Sequence, residues 1–296
     1  MSKRLINLKN TMLKLFLILI FGYFYIQPVK AMKEVTLGWS VWSDTEVLAK
    51  LAKKAIKSEM GICLKLDVDT PENHFQKLLN GKIDIMFMAW IPSEQEKYFN
   101  AHSQNITKLG VLYSGVQFRF AVPSYIPKDA IGSLSDLKKP DIKERLNGMI
   151  HVDDLRPNVE ESIKKTISEY DLDDYKYIPA VSESVYTSLE HHVRRNHWIV
   201  VSAWSPHWIF SKWDLRVLED PKNTHKNKKL VYAIGHKDIN TRLPEIASFF
   251  SRMQIPVLEL EELMYKAKET TFDQAVSEYI EKNPKRIKYW VTGKMN

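Results

Sequence analysis

The chain has 296 residues, 44% of them hydrophobic, 27% charged and 11% aromatic, a balance that excludes collagen-like and disordered chains. The formal net charge of +7 invites a nucleic-acid reading, but residues 1–31 hold Lys3, Arg4, Lys9, Lys14 and Lys30 with no acid. The remainder carries 38 basic against 36 acidic residues, so the charge does not point to a nucleic-acid partner.

The N-terminus has the parts of a secretory signal. Lys3 and Arg4 precede a 12-residue apolar run from Leu15 to Ile26, short of the ~20 residues a membrane-spanning helix needs. Val29-Lys30-Ala31 then offers small residues where a signal peptidase cuts. The expectation is a signal peptide over residues 1–31 and an exported, periplasmic protein. Cys63 is the only cysteine, which excludes a lipidated N-terminal cysteine, an internal disulfide and a cysteine-cluster metal site.

Beyond residue 31 the pattern is α/β. Val35-Thr36-Leu37 starts a strand that leads to Trp39 and Trp42. Ser43 and Glu46 read as a capping box, opening a helix with Val47, Leu48, Leu51, Ala52, Ala55 and Ile56 on one face and Gly61 as its stop. Ile62, Leu64, Leu66 and Val68 alternate as a strand. Pro71 opens a second helix with Phe75, Leu78 and Leu79, and Ile83–Met88 reads as a buried parallel strand. Such alternation predicts a parallel sheet with ligands at the carboxyl ends of its strands, and Trp42 and Trp90 fall just beyond two of them.

Phe118–Val122 is a candidate crossing strand closed by Pro123, and Ser135-Asp136-Leu137 starts a short charged helix. Met149–Val152 is a further strand, and Asn158 caps the helix carrying Ile163 and Ile167. Trp198–Ala203 is another strand with Trp204 directly after it, and Leu230–Ile234 is the return crossing. Helices are expected over Leu243–Met253, Leu258–Lys268 and Phe272–Glu281. Lys222–Lys229 is a solvated loop.

Eight tryptophans are many for this length. Trp198, Trp213 and Trp290 read as packing residues, whereas Trp39, Trp42, Trp90, Trp204 and Trp208 gather at strand ends or in the loops beyond. Aromatic faces in a cleft either stack on sugars or cage a quaternary ammonium, whose head has no N–H for hydrogen-bond recognition. Each face contributes roughly 0.5–2 kcal/mol to holding such a cation.

The ordered segments Trp42-Ser43-Asp44, Gly81-Lys82-Ile83-Asp84, Ala89-Trp90-Ile91-Pro92-Ser93, Phe118–Pro123 (FRFAVP), Trp204-Ser205-Pro206-His207-Trp208, Asp214–Pro221 (DLRVLEDP) and Tyr279–Pro284 running to Trp290 resemble the substrate-binding proteins of ABC transporters for glycine betaine, choline and related compounds. The resemblance implies a two-lobe, type II periplasmic-binding-protein fold with a ligand cleft between its lobes. Lobe 1 would comprise residues 32–119 and 230–296, and lobe 2 residues 120–229. It implies an aromatic box of Trp42, Trp90 and Trp204, with Phe118 where choline binders place a tyrosine, and polar contacts from Asp44 and Asn158.

It also implies a monomer that delivers a quaternary ammonium ligand to an ABC permease in the inner membrane, with no cofactor and no catalysis. Asp44 tilts the ligand toward choline, because a carboxylate facing a betaine carboxylate repels it; its other role is as an acid in a helix's first turn. The Asp153–Asn158 loop departs from the family pattern. His191, His192 and His197 read as a helix end flanked by Arg194 and Arg195 rather than as metal ligands. The alternative is an exported carbohydrate-binding protein or carbohydrate-active enzyme that uses the tryptophans as sugar-stacking platforms, with Glu94, Glu96 and Asp44 as candidates for a glycosidase carboxylate pair.

Overall fold

The structure, a computed structural model, describes residues 34–92, 95–152, 157–179, 182–224 and 229–295. The expected signal peptide, Ser93, Glu94, the 153–156 loop and the centre of the Lys222–Lys229 loop lie outside the described residues. Among the described residues no helix is long and apolar enough to cross a membrane.

The first third is a βαβαβ unit: β1 (Glu34–Trp39), α1 (Ser43–Met60), β2 (Cys63–Val68), α2 (Pro71–Leu79) and β3 (Ile85–Ile91). β1 lies between β2 and β3, parallel to both. α1 buries the face that its periodicity predicts and ends at Gly61, whose left-handed φ of 66° carries the C-cap. The expected capping box is not formed. Ser43 is the first helical residue, the cap is the extended Trp42, and no side chain caps the helix; Glu46 instead pairs with Lys50 one turn on. A true box forms later, where Ser133 and Asp136 open the 3₁₀ helix Leu134–Lys138.

After α3 (Glu96–Ala101) comes the 18-residue strand β4 (Ile106–Pro123), of which only the last third is legible in the sequence. The chain continues through α4 (Pro140–Arg145), β5 (Met149–Val152), α5 (Pro157–Glu169), β6 (Lys176–Pro179), α6 (Ser182–Arg194), β7 (Val201–Ser205), α7 (Ile209–Lys212) and β8 (Leu215–Val217). It closes with β9 (Lys229–His236), α8 (Ile239–Arg242), α9 (Pro244–Arg252), α10 (Val257–Glu269), α11 (Phe272–Lys282) and α12 (Pro284–Thr292).

The strands follow the order β2-β1-β3-β9-β4-β7-β5-β6, with β8 beside β4. The first sheet half is therefore mixed rather than parallel, because β9 enters antiparallel to both β3 and β4. β4 hands over between halves: Ile106–Val116 pairs with β9, and Gln117–Ala121 pairs with β7. Gly115, at φ +85°, sits beside that handover. Gly110 lies so close to α9 that an added Cβ would press into the Phe250 carbonyl.

Separate buried clusters serve the two halves. One contains Phe75, Leu78, Met86 and Ile234, the other Phe120, Val122, Ile150 and Ile163. A larger cluster joins α1, α9 and α10 to Val201, Ala203 and Ile209. Trp290 and Trp213 belong to it, as expected of packing residues, and Trp198 is half-buried beneath Arg145.

Candidate functional site

Four of the six expected site residues form a chain of rings across the two sheet halves. Trp42 meets Trp90 at 6.1 Å between centroids and 63° between planes, and Trp90 meets Trp204 at 5.7 Å and 77°. Trp204 meets Phe118 at 5.6 Å and 66°, because the two residues are register partners across β4 and β7. Phe120 extends the chain from Phe118 at 5.5 Å and 87°. At such angles each ring presents an edge to its neighbour's face rather than stacking on it.

Each ring is held through its backbone. Trp90 and Trp204 lie within the last two residues of β3 and β7, not after them as expected, because the apolar runs stay in the sheet beyond their predicted ends. The Trp90 N–H donates at 3.0 Å to the side-chain oxygen of the buried Gln95. The Trp42 N–H donates to the Ser40 carbonyl at 2.7 Å, and the Ser40 hydroxyl is tied to the Asp69 carbonyl. Cis peptide bonds precede Pro92 and Pro206, two residues after Trp90 and Trp204 respectively.

Asp44 is next to this chain of rings, but its carboxylate is engaged within the protein. One oxygen accepts from the Tyr113 hydroxyl at 2.6 Å, and the other accepts from the Thr45 N–H at 2.9 Å. Asp44 is 8% exposed and Tyr113 fully buried. Burial raises the Asp44 carboxyl above its ordinary range, and burial together with the Asp44 charge raises the Tyr113 phenol. Asn158 is the second residue of α5 and so does not cap it, because Pro157 already opens the helix.

Sequence reasoning missed a polar cluster behind Trp204. His207 Nδ1 accepts from the Ile209 N–H at 3.3 Å, which leaves Nε2 as the donor to the Tyr186 hydroxyl at 2.9 Å. Burial, with Lys268 adding to it, lowers the His207 imidazole to about 3, so it is neutral at neutral pH. Glu261 on α10 accepts from the Ser205 hydroxyl and the His207 N–H. The available signal was a charge on an inward-facing helical position, between Leu260 and Met264.

Among the described residues no three His, Cys, Asp or Glu side chains are grouped to hold a metal. His191 accepts from the Arg195 guanidinium, whose charge lowers its pKa, and His192 contacts the Ser188 carbonyl.

Residues 33–282 match the protein family described as the substrate-binding domain of ABC-type glycine betaine transport systems. The chain is 27% identical over 158 residues to the glycine betaine/carnitine transport binding protein GbuC of Listeria monocytogenes, a match spanning 52% of this chain and 53% of that one. The chain thus spans about half the length of that relative. Lactococcal OpuAC in its closed, glycine betaine-bound form superposes with a TM-score of 0.71 at 26% identity, covering 88% of this chain and all of the other. The ProX protein of Borrelia burgdorferi does so with a TM-score of 0.67 at 26% identity, covering 89% and 98%. A choline-binding protein with choline bound shares the fold, with a TM-score of 0.63 at 17% identity over 88% of this chain and 92% of that one.

Proposed function

Since the chain belongs to the family of substrate-binding domains of ABC-type glycine betaine transport systems, we propose that it captures a quaternary ammonium compound among Trp42, Trp90, Phe118 and Trp204 and delivers it to a membrane permease. The observation that carries this reading is the line of four rings, two from the first sheet half and two from the β4–β7 pair beyond the handover. A methylated ammonium offers no N–H to an acceptor, so electron-rich faces are the available recognition, at roughly 0.5–2 kcal/mol each. Nothing among the comparisons supports the carbohydrate alternative.

The proposed lobes are residues 32–119 with 230–296, and residues 120–229; Phe118 and Arg119 fall in the first by this division but pair with β7 of the second. Ligand contacts are completed when they approach, so binding energy shifts an open–closed equilibrium. The protein acts as an exported periplasmic monomer after loss of residues 1–31, without a cofactor, and a permease in the inner membrane receives the closed form. Asn158 remains a proposed polar contact.

Glycine betaine is the better ligand here, against the tilt that Asp44 alone gives toward choline. That carboxylate already serves Tyr113 and Thr45 and sits in a helix's first turn, its alternative role. The family's link to glycine betaine transport, and the glycine betaine held by OpuAC at 26% identity, favour the same choice. Tryptophan fluorescence, titrated with glycine betaine, choline, carnitine, proline betaine and maltose, tests this. Tightest binding of glycine betaine is expected. Tighter binding of choline restores the Asp44 argument, and a response to maltose alone removes the cage reading.

A further inference from the structure

Helix α10 carries Glu259, Glu261 and Glu262, and the three have different surroundings. Glu259 faces Arg286, whose Nη2 donates to it at 3.0 Å, and Glu262 is exposed. Glu261 points inward beside Leu260, Met264 and Ala267 and is 3% exposed. A carboxylate on an apolar stripe loses its hydration and persists only where other donors replace water.

Both of the donors to Glu261 come from one short stretch. The Ser205 hydroxyl reaches Oε1 at 2.8 Å and the His207 N–H reaches the same oxygen at 3.2 Å. They flank Pro206 and begin one residue after Trp204. Burial holds the Glu261 carboxyl above its usual range, against the Ser205 and His207 hydrogen bonds and the charge of Arg119, on β4 next to Phe118, which pull it down. A single side chain from the C-terminal helices therefore pins the backbone that leads out of a wall of the aromatic site. α10 also packs against α1 and α7 through apolar residues, and its Lys268 ammonium lies 4.5 Å above the Trp208 ring.

We propose that Glu261 is a positioning residue for ligand capture: through Ser205 and His207 it fixes the 204–208 segment, so that the Trp204 ring stands ready as a wall. It does not touch the ligand, and the proposal rests on the reading of the aromatic site given above.

Glu261→Gln keeps an acceptor oxygen, whereas Glu261→Met fills similar space without one. Three measurements on the parent and both variants test the role: calorimetric titration with glycine betaine, hydrogen–deuterium exchange of the ligand-free proteins, and urea unfolding. With one charge-assisted acceptor removed, Glu261→Met should bind about tenfold more weakly or worse, and Glu261→Gln within about threefold of the parent. The amides of Trp204, Ser205, His207 and Trp208, that of His207 above all, should exchange faster in Glu261→Met alone, with cooperative unfolding retained.

Parent-like affinity in Glu261→Met overturns the proposal. So does weaker binding without faster exchange at 204–208, or equal loss in both variants. A parent that binds no quaternary amine overturns the site reading and the ligand half of this proposal. The exchange contrast between variants still decides whether Glu261 holds the segment.

Discussion

Trp204 touches both Trp90 and Phe118, so its removal opens the middle of the line of rings rather than one end. Trp204→Ala should weaken quaternary ammonium binding by up to ~2 kcal/mol, on the order of 30-fold in Kd, measured by calorimetry. Asp44 should behave differently. If it serves Tyr113 and Thr45, Asp44→Asn leaves glycine betaine affinity within about threefold, since an amide oxygen still accepts from the phenol. A loss above tenfold would return Asp44 to the ligand. His207 sets a pH response: its folded pKa of about 3 lies below the ordinary 6.5, so the unfolded chain binds the extra proton first. Its contribution to stability is complete above pH 6.5 and is lost as pH falls toward 3, by at most about 1.4 kcal/mol per pH unit. Asp44 and Glu261, whose pKa values are raised, act in the opposite sense: their contribution is full below their ordinary values and is lost as pH rises through the raised ones. Urea unfolding from pH 7 to 4 should show the His207-linked loss flattened in His207→Gln.

At the scale of elements, legibility followed the regularity of the backbone. α1 was readable along its length and at its stop, though not at its cap, because its apolar residues keep helical spacing and Gly61 supplies a left-handed stop with open space around it. Gly61→Ala should accordingly destabilise by about 1 kcal/mol through backbone strain alone, read from the urea midpoint. The first two thirds of β4 were not readable, because its pairing with β9 shifts register three times and destroys the period of two. Trp42, Trp90 and Trp204 stood out by residue type and position after apolar runs, and Phe118 only through the family resemblance; Tyr113 did not, since its bond to Asp44 spans 69 residues. Glu261 was hidden differently: among acidic neighbours its charge reads as a solvated face, although its place between Leu260 and Met264 puts it on the inward stripe.

Across the whole molecule, the strand β4 and the returning β9 carry the connection between the two sheet halves that supply the rings of the proposed site. A cage recognises its guest by methyl groups on a cation rather than by hydrogen bonds. The most direct measurement is therefore a calorimetric series with glycine betaine, dimethylglycine, sarcosine and glycine, which share a carboxylate and lose one methyl at each step. The account predicts affinity that falls at each step and vanishes at glycine. Sarcosine or glycine binding as tightly as glycine betaine would contradict it.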